Sequence, residues 1–269
     1  MTFADASLTL RARTSDDTDR ADLAAGAAAL FDLFLKREHE FGFSPEVVVD
    51  YPDLTAGPDS SFLADAPAYV ENRIATEEAT GGPISQVVIL TTYADVVGPA
   101  LAAAGWAGHQ IDMPAGPDHT WTYRQDRTGT GRTLYIEAVN EADEKLRPDF
   151  LLELTDDRGR LRGGAWGSIH ARDGDRYAYI ATMTLDAGLP PGTGTRLGEA
   201  LNQTLVGAGV VAAHLGTQTA GPFYERLGFR ITHILVPALR IRSGEDGAQV
   251  ATDLVMMERR LTPAGPGLR

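Results

Sequence analysis

One stretch constrains the fold more than any other. An alternating run from Tyr177 to Leu185 leads through Leu189-Pro190-Pro191-Gly192-Thr193-Gly194-Thr195-Arg196-Leu197 into a helical pattern over residues 194 to 206. A second apolar run, Val210 to Leu215, then opens a short helix that ends Phe223-Tyr224-Glu225-Arg226-Leu227-Gly228-Phe229. The order strand, glycine turn, helix, strand, helix predicts an α/β unit. A glycine turn that opens a helix also leaves the first-turn N–H groups unpaired, so it is a ready anion site.

The remaining periodicities fill out both sides of this unit. Leu8, Leu10 and Ala12 alternate as a first strand, and Asp16 or Asp19 can cap a helix over residues 20 to 39. The apolar face of that helix is Leu23, Ala27, Leu30, Phe31, Phe34 and Leu35. Strands are expected at 46 to 51, 87 to 90, 119 to 124, 150 to 155, 164 to 170, 231 to 241 and 250 to 261. Helices are expected at 67 to 80 and 94 to 104. Asp156-Asp157-Arg158-Gly159 reads as a hairpin turn.

An internal repeat divides the chain. Gly98-Pro99 and Gly105-Trp106 match Gly221-Pro222 and Gly228-Phe229 at one offset of 123, which also lays Val87-Val88 on Val210-Val211. Two related halves are therefore expected, with domains at 1–130 and 131–262 and a disordered tail at 263–269. The first half has no glycine turn: its equivalent is Ala66-Pro67-Ala68-Tyr69-Val70-Glu71-Asn72-Arg73.

Composition narrows the function. The 269 residues include 24 Lys and Arg against 37 Asp and Glu, a formal charge of −13, which argues against a nucleic acid or an anionic membrane as partner. No cysteine is present, so thiol nucleophiles and cysteine-bound metals are excluded. The six histidines never fall at metal-ligand spacing, and no metal is expected. Neither a signal peptide nor a membrane span is visible, so a cytoplasmic protein is expected.

The spacing from the turn to the Phe223-to-Phe229 helix resembles the GNAT (Gcn5-related N-acetyltransferase) superfamily over roughly residues 150 to 261. Its pyrophosphate loop reads Gln/Arg-x-x-Gly-x-Gly/Ala. Gly192, Thr193 and Gly194 fit the second half of that pattern, while Leu189 stands at the Gln/Arg position. The resemblance implies a mixed, mostly antiparallel sheet flanked by helices, the acyl-CoA N-acyltransferase fold, in a tandem arrangement with a degenerate N-terminal half.

It also implies acetyl-CoA, or another acyl-CoA, as cosubstrate. The pantetheine arm would lie against Met183, Thr184 and Leu185. The pyrophosphate would rest at Leu189, Gly192, Thr193, Gly194, Thr195 and Arg196. Thr217 stands where the family has asparagine ahead of the second helix, and Tyr224 is the general acid for the departing thiolate. The family's carboxylate base is missing, because Tyr177-Ala178-Tyr179 occupies its place. His214, His170, Glu153 or water are the substitutes, and His214 is favoured by its position three residues before Thr217. The expected reaction is N-acyl transfer, most simply acetyl transfer, to a primary amine or lysine side chain. The acidic balance leans toward a cationic acceptor. Homodimer formation stays open. The competing reading is a non-catalytic acyl-CoA-binding or scaffold protein of the same fold.

Overall fold

The computed structural model describes residues 2–3, 8–41, 46–50, 60–91, 94–112, 120–125, 132–137, 148–243 and 248–261. The expected tail at 263–269 lies outside them, as does His119. The chain runs β1 (Thr2–Phe3), β2 (Leu8–Thr14), α1 (Arg20–Phe41), β3 (Val47–Asp50), α2 (Ser60–Ala64), α3 (Ala66–Gly81), β4 (Gln86–Leu90), α4 (Ala94–Ala103), β5 (Ala107–Asp112), β6 (Thr120–Gln125) and β7 (Thr133–Glu137). It continues through β8 (Phe150–Thr155), β9 (Leu161–Arg172), β10 (Asp175–Leu185), α5 (Thr193–Gly207), β11 (Val210–Thr217), α6 (Gly221–Arg226), β12 (Arg230–Ser243) and β13 (Ala248–Arg260).

Two sheets form. The larger has the strand order β1-β2-β8-β9-β10-β11-β13-β12, and the smaller β3-β4-β7-β6-β5. In the larger, β1–β2, β2–β8, β8–β9, β9–β10 and β11–β13 are antiparallel, whereas β10–β11 is parallel. The smaller sheet joins β3, β4 and β7 in parallel and adds β6 and β5 antiparallel. Among the described residues no helix is long and apolar enough to cross a membrane.

The chain divides into two compact units, one of residues 1–40, 144–233 and 255–269, the other of 41–143 and 234–254. This differs from the expected cut near residue 130. Strand β2 pairs with β8 from Thr9↔Thr155 to Thr14↔Phe150, so the first 40 residues complete the sheet of the C-terminal half. Residues 234–254 belong to the other unit, where the Arg240 backbone N–H donates to Gln86 Oε1 at 3.2 Å and its guanidinium to Ser85 Oγ at 2.7 Å. Register between distant strands is a tertiary fact that local patterning does not carry.

In the first unit the core lies between the sheet and α5–α6. Phe150, Leu152, Ala178, Ile180, Ala213 and Met257 meet Leu197, Leu201 and Leu205 of α5 and Leu227 beside α6. On the other face α1 packs Leu23, Ala27 and Leu30 against Leu151 and Trp166. Asp19 caps α1 by accepting from the Ala21 N–H at 2.8 Å. Phe31, Phe34 and Leu35 stay half-buried, so the buried stripe of α1 is narrower than its apolar face.

The repeat holds locally. Gly105 and Gly228 both take positive φ, 92° and 88°. Trp106 N–H donates to Leu101 C=O, and Phe229 N–H to Tyr224 C=O, at 2.9 and 3.0 Å. Each helix thus ends in the same glycine-terminated motif with a buried aromatic behind it. Beyond this unit the sheets diverge, because β4 takes a parallel neighbour in β7 while β11 takes an antiparallel one in β13.

Helix α5 approaches α6 at Gly198, where an added Cβ would stand 2.4 Å from Leu227 Cδ1. Leu227 is buried and has little room to yield. Gly198→Ala is expected to cost about 1–3 kcal/mol through overpacking. A urea-denaturation cycle should show that cost shrinking in the Leu227→Ala background, where the clash is removed.

Candidate functional site

The site begins where a strand pair comes apart. Parallel pairing of β10 with β11 runs from Arg176↔Val210 to Tyr179↔His214 and stops there. Both strands continue, β10 to Leu185 and β11 to Thr217. Each keeps its outer neighbour: β10 pairs with β9 as far as Leu185↔Gly163, and β11 with β13 as far as Thr217↔Val255. Past Tyr179 and His214 the two inner edges therefore present backbone donors and acceptors that do not pair with each other.

A bulge shapes the β10 side. The β9–β10 register shifts between Ile180 and Thr182, leaving Ala181 as the extra residue. A bulge reverses the alternation of side chains. Accordingly Ala178 and Ile180 before it, and Met183 and Leu185 after it, all pack on the α5–α6 core. Thr184 is buried opposite Gly164. Of the predicted pantetheine residues, Met183, Thr184 and Leu185 thus lie on the unpaired stretch of β10.

The glycine turn sits at the end of that stretch. Asp186 accepts from Arg162 Nε at 2.9 Å and donates its N–H to the Arg162 carbonyl at 2.8 Å, pinning the loop after β10. Leu189 packs against the core, as a leucine must, and supplies no polar contact there. Gly192 is the N-cap of α5 at φ 81°, ψ −5°, with no side-chain cap. A left-handed N-cap without a capping oxygen demands glycine. The buried Thr193 hydroxyl donates to the Pro190 carbonyl at 2.7 Å and its N–H to the same oxygen at 3.2 Å.

Arg196 N–H closes the first helical bond onto Gly192 C=O at 3.1 Å. The N–H groups of Gly194 and Thr195 lie within the first turn, whose donors have no intrahelical acceptor. An added Cβ on Gly194 would meet Phe223 Cε2 at 3.2 Å and Leu185 Cδ1 at 3.3 Å. The end of β10, the start of α5 and α6 therefore converge, and Gly194 is there for packing. The exposed Thr195 side chain leaves room in front of the turn.

Tyr224 follows Phe223 on α6. It is buried, its ring edge-on to Phe223 and Phe229 at centroid distances of 5.1 and 5.6 Å. Burial raises its phenol above the ordinary tyrosine value, so the group stays protonated. The repeat places Leu101 at the matching position of α4, without a hydroxyl. Thr217 ends β11 and is not a helix cap, since Ala220 occupies that place without a side-chain bond.

His214 stands at the last β10–β11 pair. Its side chain is 2% exposed and its Nε2 is buried without a hydrogen-bond partner. Its Nδ1 lies 3.9 Å from Glu258 Oε2 on β13. Burial holds the imidazole down to about 4, the Glu258 carboxylate opposing and Arg260 and His170 adding to the lowering. The other base candidates sit differently. Glu153 is ion-paired with Arg13 on β2, and His170 Nε2 is 2.7 Å from Ser168 Oγ on β9. Glu258 escaped the sequence reading because only the β11–β13 register brings it to His214. Among the described residues no group of three His, Asp or Glu could hold a metal ion.

The folded pKa of His214 is below the unfolded value of roughly 6.5, so the unfolded chain binds the extra proton between the two. Stability present above the unfolded value is lost as pH falls from about 6.5 toward 4. His214→Gln is expected to lose roughly 2 kcal/mol less than the wild-type chain between pH 7 and pH 5, read from urea unfolding at each pH.

No family model and no curated protein matches the sequence. Solved structures do match. The ribosomal-protein-S18-alanine N-acetyltransferase of Escherichia coli aligns at 22% identity over 44% of this chain and 73% of its own, with a TM-score of 0.32. An IAA acetyltransferase from Bacillus cereus aligns at 18% over 42% and 77%, with a TM-score of 0.32. An aminoglycoside 6'-N-acetyltransferase complexed with coenzyme A aligns at 16% over 42% and 73%, with a TM-score of 0.33. These likenesses span less than half of the chain. The larger sheet is mostly antiparallel with one parallel pair, and helices flank it, as the sequence analysis expects.

Proposed function

We propose that the chain is an acyl-CoA-dependent N-acyltransferase, most simply an acetyltransferase, acting on a primary amine by direct attack in a ternary complex. The observation that carries this reading is the end of β10–β11 pairing at Tyr179↔His214, with the unpaired edge of β10 leading to the first turn of α5. Pantetheine is an extended chain with two amides, and an unpaired strand edge offers the donors and acceptors that such a chain needs. A pyrophosphate carries charge that the helix N-terminus and Arg196 favour. This combination suits an anionic ligand on a chain with a net charge of −13.

In this reading Met183, Thr184 and Leu185 line the pantetheine arm, and Gly192 to Arg196 hold the pyrophosphate. The amine nitrogen attacks the thioester carbonyl, the C–N bond forms and the C–S bond breaks. Tyr224, kept protonated by burial, donates to the departing sulfur, and His214 takes the amine proton. The other half then lacks glycine at 66–73, where the repeat would place the turn, and among its described residues shares the α4 terminus with the catalytic half. A homodimer and a cationic acceptor such as an aminoglycoside, a polyamine or a lysine side chain remain part of the proposal.

Two observations favour the second reading, an acyl-CoA-binding or scaffold protein. The strand position of the family carboxylate holds Tyr177 and Tyr179, and burial makes His214 a weak base. Calorimetry with acetyl-CoA, paired with thiol release across a panel of amines, separates them. Binding with turnover is expected. Binding without turnover on any amine would support the scaffold reading, and no binding of acetyl-CoA or longer acyl-CoAs would contradict both.

Thr195→Glu places a carboxylate in front of the turn without touching the core, and a glutamate in the first turn does not weaken a helix. It should weaken acetyl-CoA binding about tenfold or more. Tyr224→Phe should keep binding within about twofold and lower turnover by about 10²-fold.

A further inference from the structure

A polar row crosses the middle of the larger sheet. Ser168 on β9 lies opposite Tyr179 on β10, Tyr179 opposite His214 on β11, and His214 opposite Glu258 on β13. Ser168, Tyr179 and His214 are all buried. Their chain neighbours Ala178, Ala213 and Met257 point to the apolar core on the other face, so the row is confined to one face. The Tyr177 ring stands beside His214 on the same face at a centroid distance of 6.3 Å. Buried polar groups are normally paired, yet His214 Nε2 has no partner.

The two imidazole nitrogens therefore face different surroundings. Nδ1 faces Glu258 Oε2 at 3.9 Å. The other oxygen of Glu258 is ion-paired with Arg260 Nε at 2.8 Å. An ionised carboxylate can only accept, so it favours the tautomer with hydrogen on Nδ1 and leaves a lone pair on Nε2. The groups around the ring are Glu258 and Arg260 from β13, Tyr177 and Tyr179 from β10, and His170 from β9. Glu258 is the one among them whose charge stabilises an imidazolium.

We propose that Glu258 is a positioning residue for His214, holding through Nδ1 the tautomer whose Nε2 accepts the proton released by the attacking amine. This rests on the acyl-transfer reading above. As the C–N bond forms and the C–S bond breaks, the amine proton passes to Nε2 and Glu258 balances the new charge. The thiolate takes its proton from Tyr224, which regains one from solvent, and His214 returns its proton to solvent. The division of roles follows the logic of a carboxylate that orients a histidine without itself taking up the proton.

The test uses the full chain labelled with ¹⁵N-histidine. Ring-nitrogen correlation spectra at pH 7 should show His214 with hydrogen on Nδ1. Glu258→Gln should shift it toward the Nε2–H tautomer, while Glu258→Asp, which keeps the carboxylate, should retain more of the Nδ1–H form. In steady-state assays Glu258→Gln should lower kcat by about 10²-fold and leave the Kd for acetyl-CoA within about twofold, with partial recovery in Glu258→Asp. An unchanged tautomer in Glu258→Gln overturns the proposal, as does a changed tautomer with unaltered kcat. Should the wild-type chain fail to bind acetyl-CoA, the acyl-transfer reading fails with it. The spectra would then still decide whether Glu258 sets the His214 tautomer.

Discussion

The parallel pairing of β10 with β11, inserted into a sheet whose other assigned pairs are antiparallel, is the constraint on which the rest of this unit depends. Parallel neighbours cannot be joined by a tight turn and need a crossover. Helix α5 is that crossover, and it must begin near the end of β10. The pairing stops at Tyr179↔His214 while the outer pairs persist, so the end of β10 is held by β9 alone and leads straight to the first turn of the helix. An unpaired strand edge and a helix N-terminus come together for topological reasons before any ligand is considered.

Packing then fixes the distances. Gly194 lets the start of α5 close on Phe223 and Leu185, and Gly198 lets the next turn close on Leu227. Both glycines act by omitting a Cβ between elements. Gly192 acts through its backbone, because its φ of 81° is a left-handed cap that other residues rarely adopt. On the opposite face of the sheet Ser168, Tyr179 and His214 are buried in one row that ends at Glu258. Electrostatics there are local. The net charge of −13 says little about a turn whose donors are backbone N–H groups.

Much of this was legible from residue types alone. The glycine turn, the α5 and β11 periodicities and the terminus at Gly228-Phe229 carry strong local signals, and each element appeared within a few residues of its expected place. The shared terminus at Gly105-Trp106 was legible for the same reason, since the matching hydrogen bonds at Trp106 and Phe229 are short-range. What stayed hidden was set by register. Nothing near Leu8–Thr14 announces β8 as its partner, so the expected boundary near residue 130 missed that residues 1–40 belong with the C-terminal half. Strands β5 and β7 went unread because their glycine, threonine and charged residues lack a sustained alternation. The bulge at Ala181 and the meeting of His214 with Glu258 likewise depend on pairing between strands distant in sequence.

The central claim is that the opening between β10 and β11 receives an acyl-CoA. A crystal structure of the chain with coenzyme A bound tests it most directly. The account predicts the pantetheine arm hydrogen-bonded to the backbone of β10 between Ala181 and Leu185, its pyrophosphate on the N–H groups of Gly194 and Thr195, and its sulfur near Tyr224. Coenzyme A bound elsewhere on the chain, with β10 and β11 unoccupied past Tyr179 and His214, would contradict it.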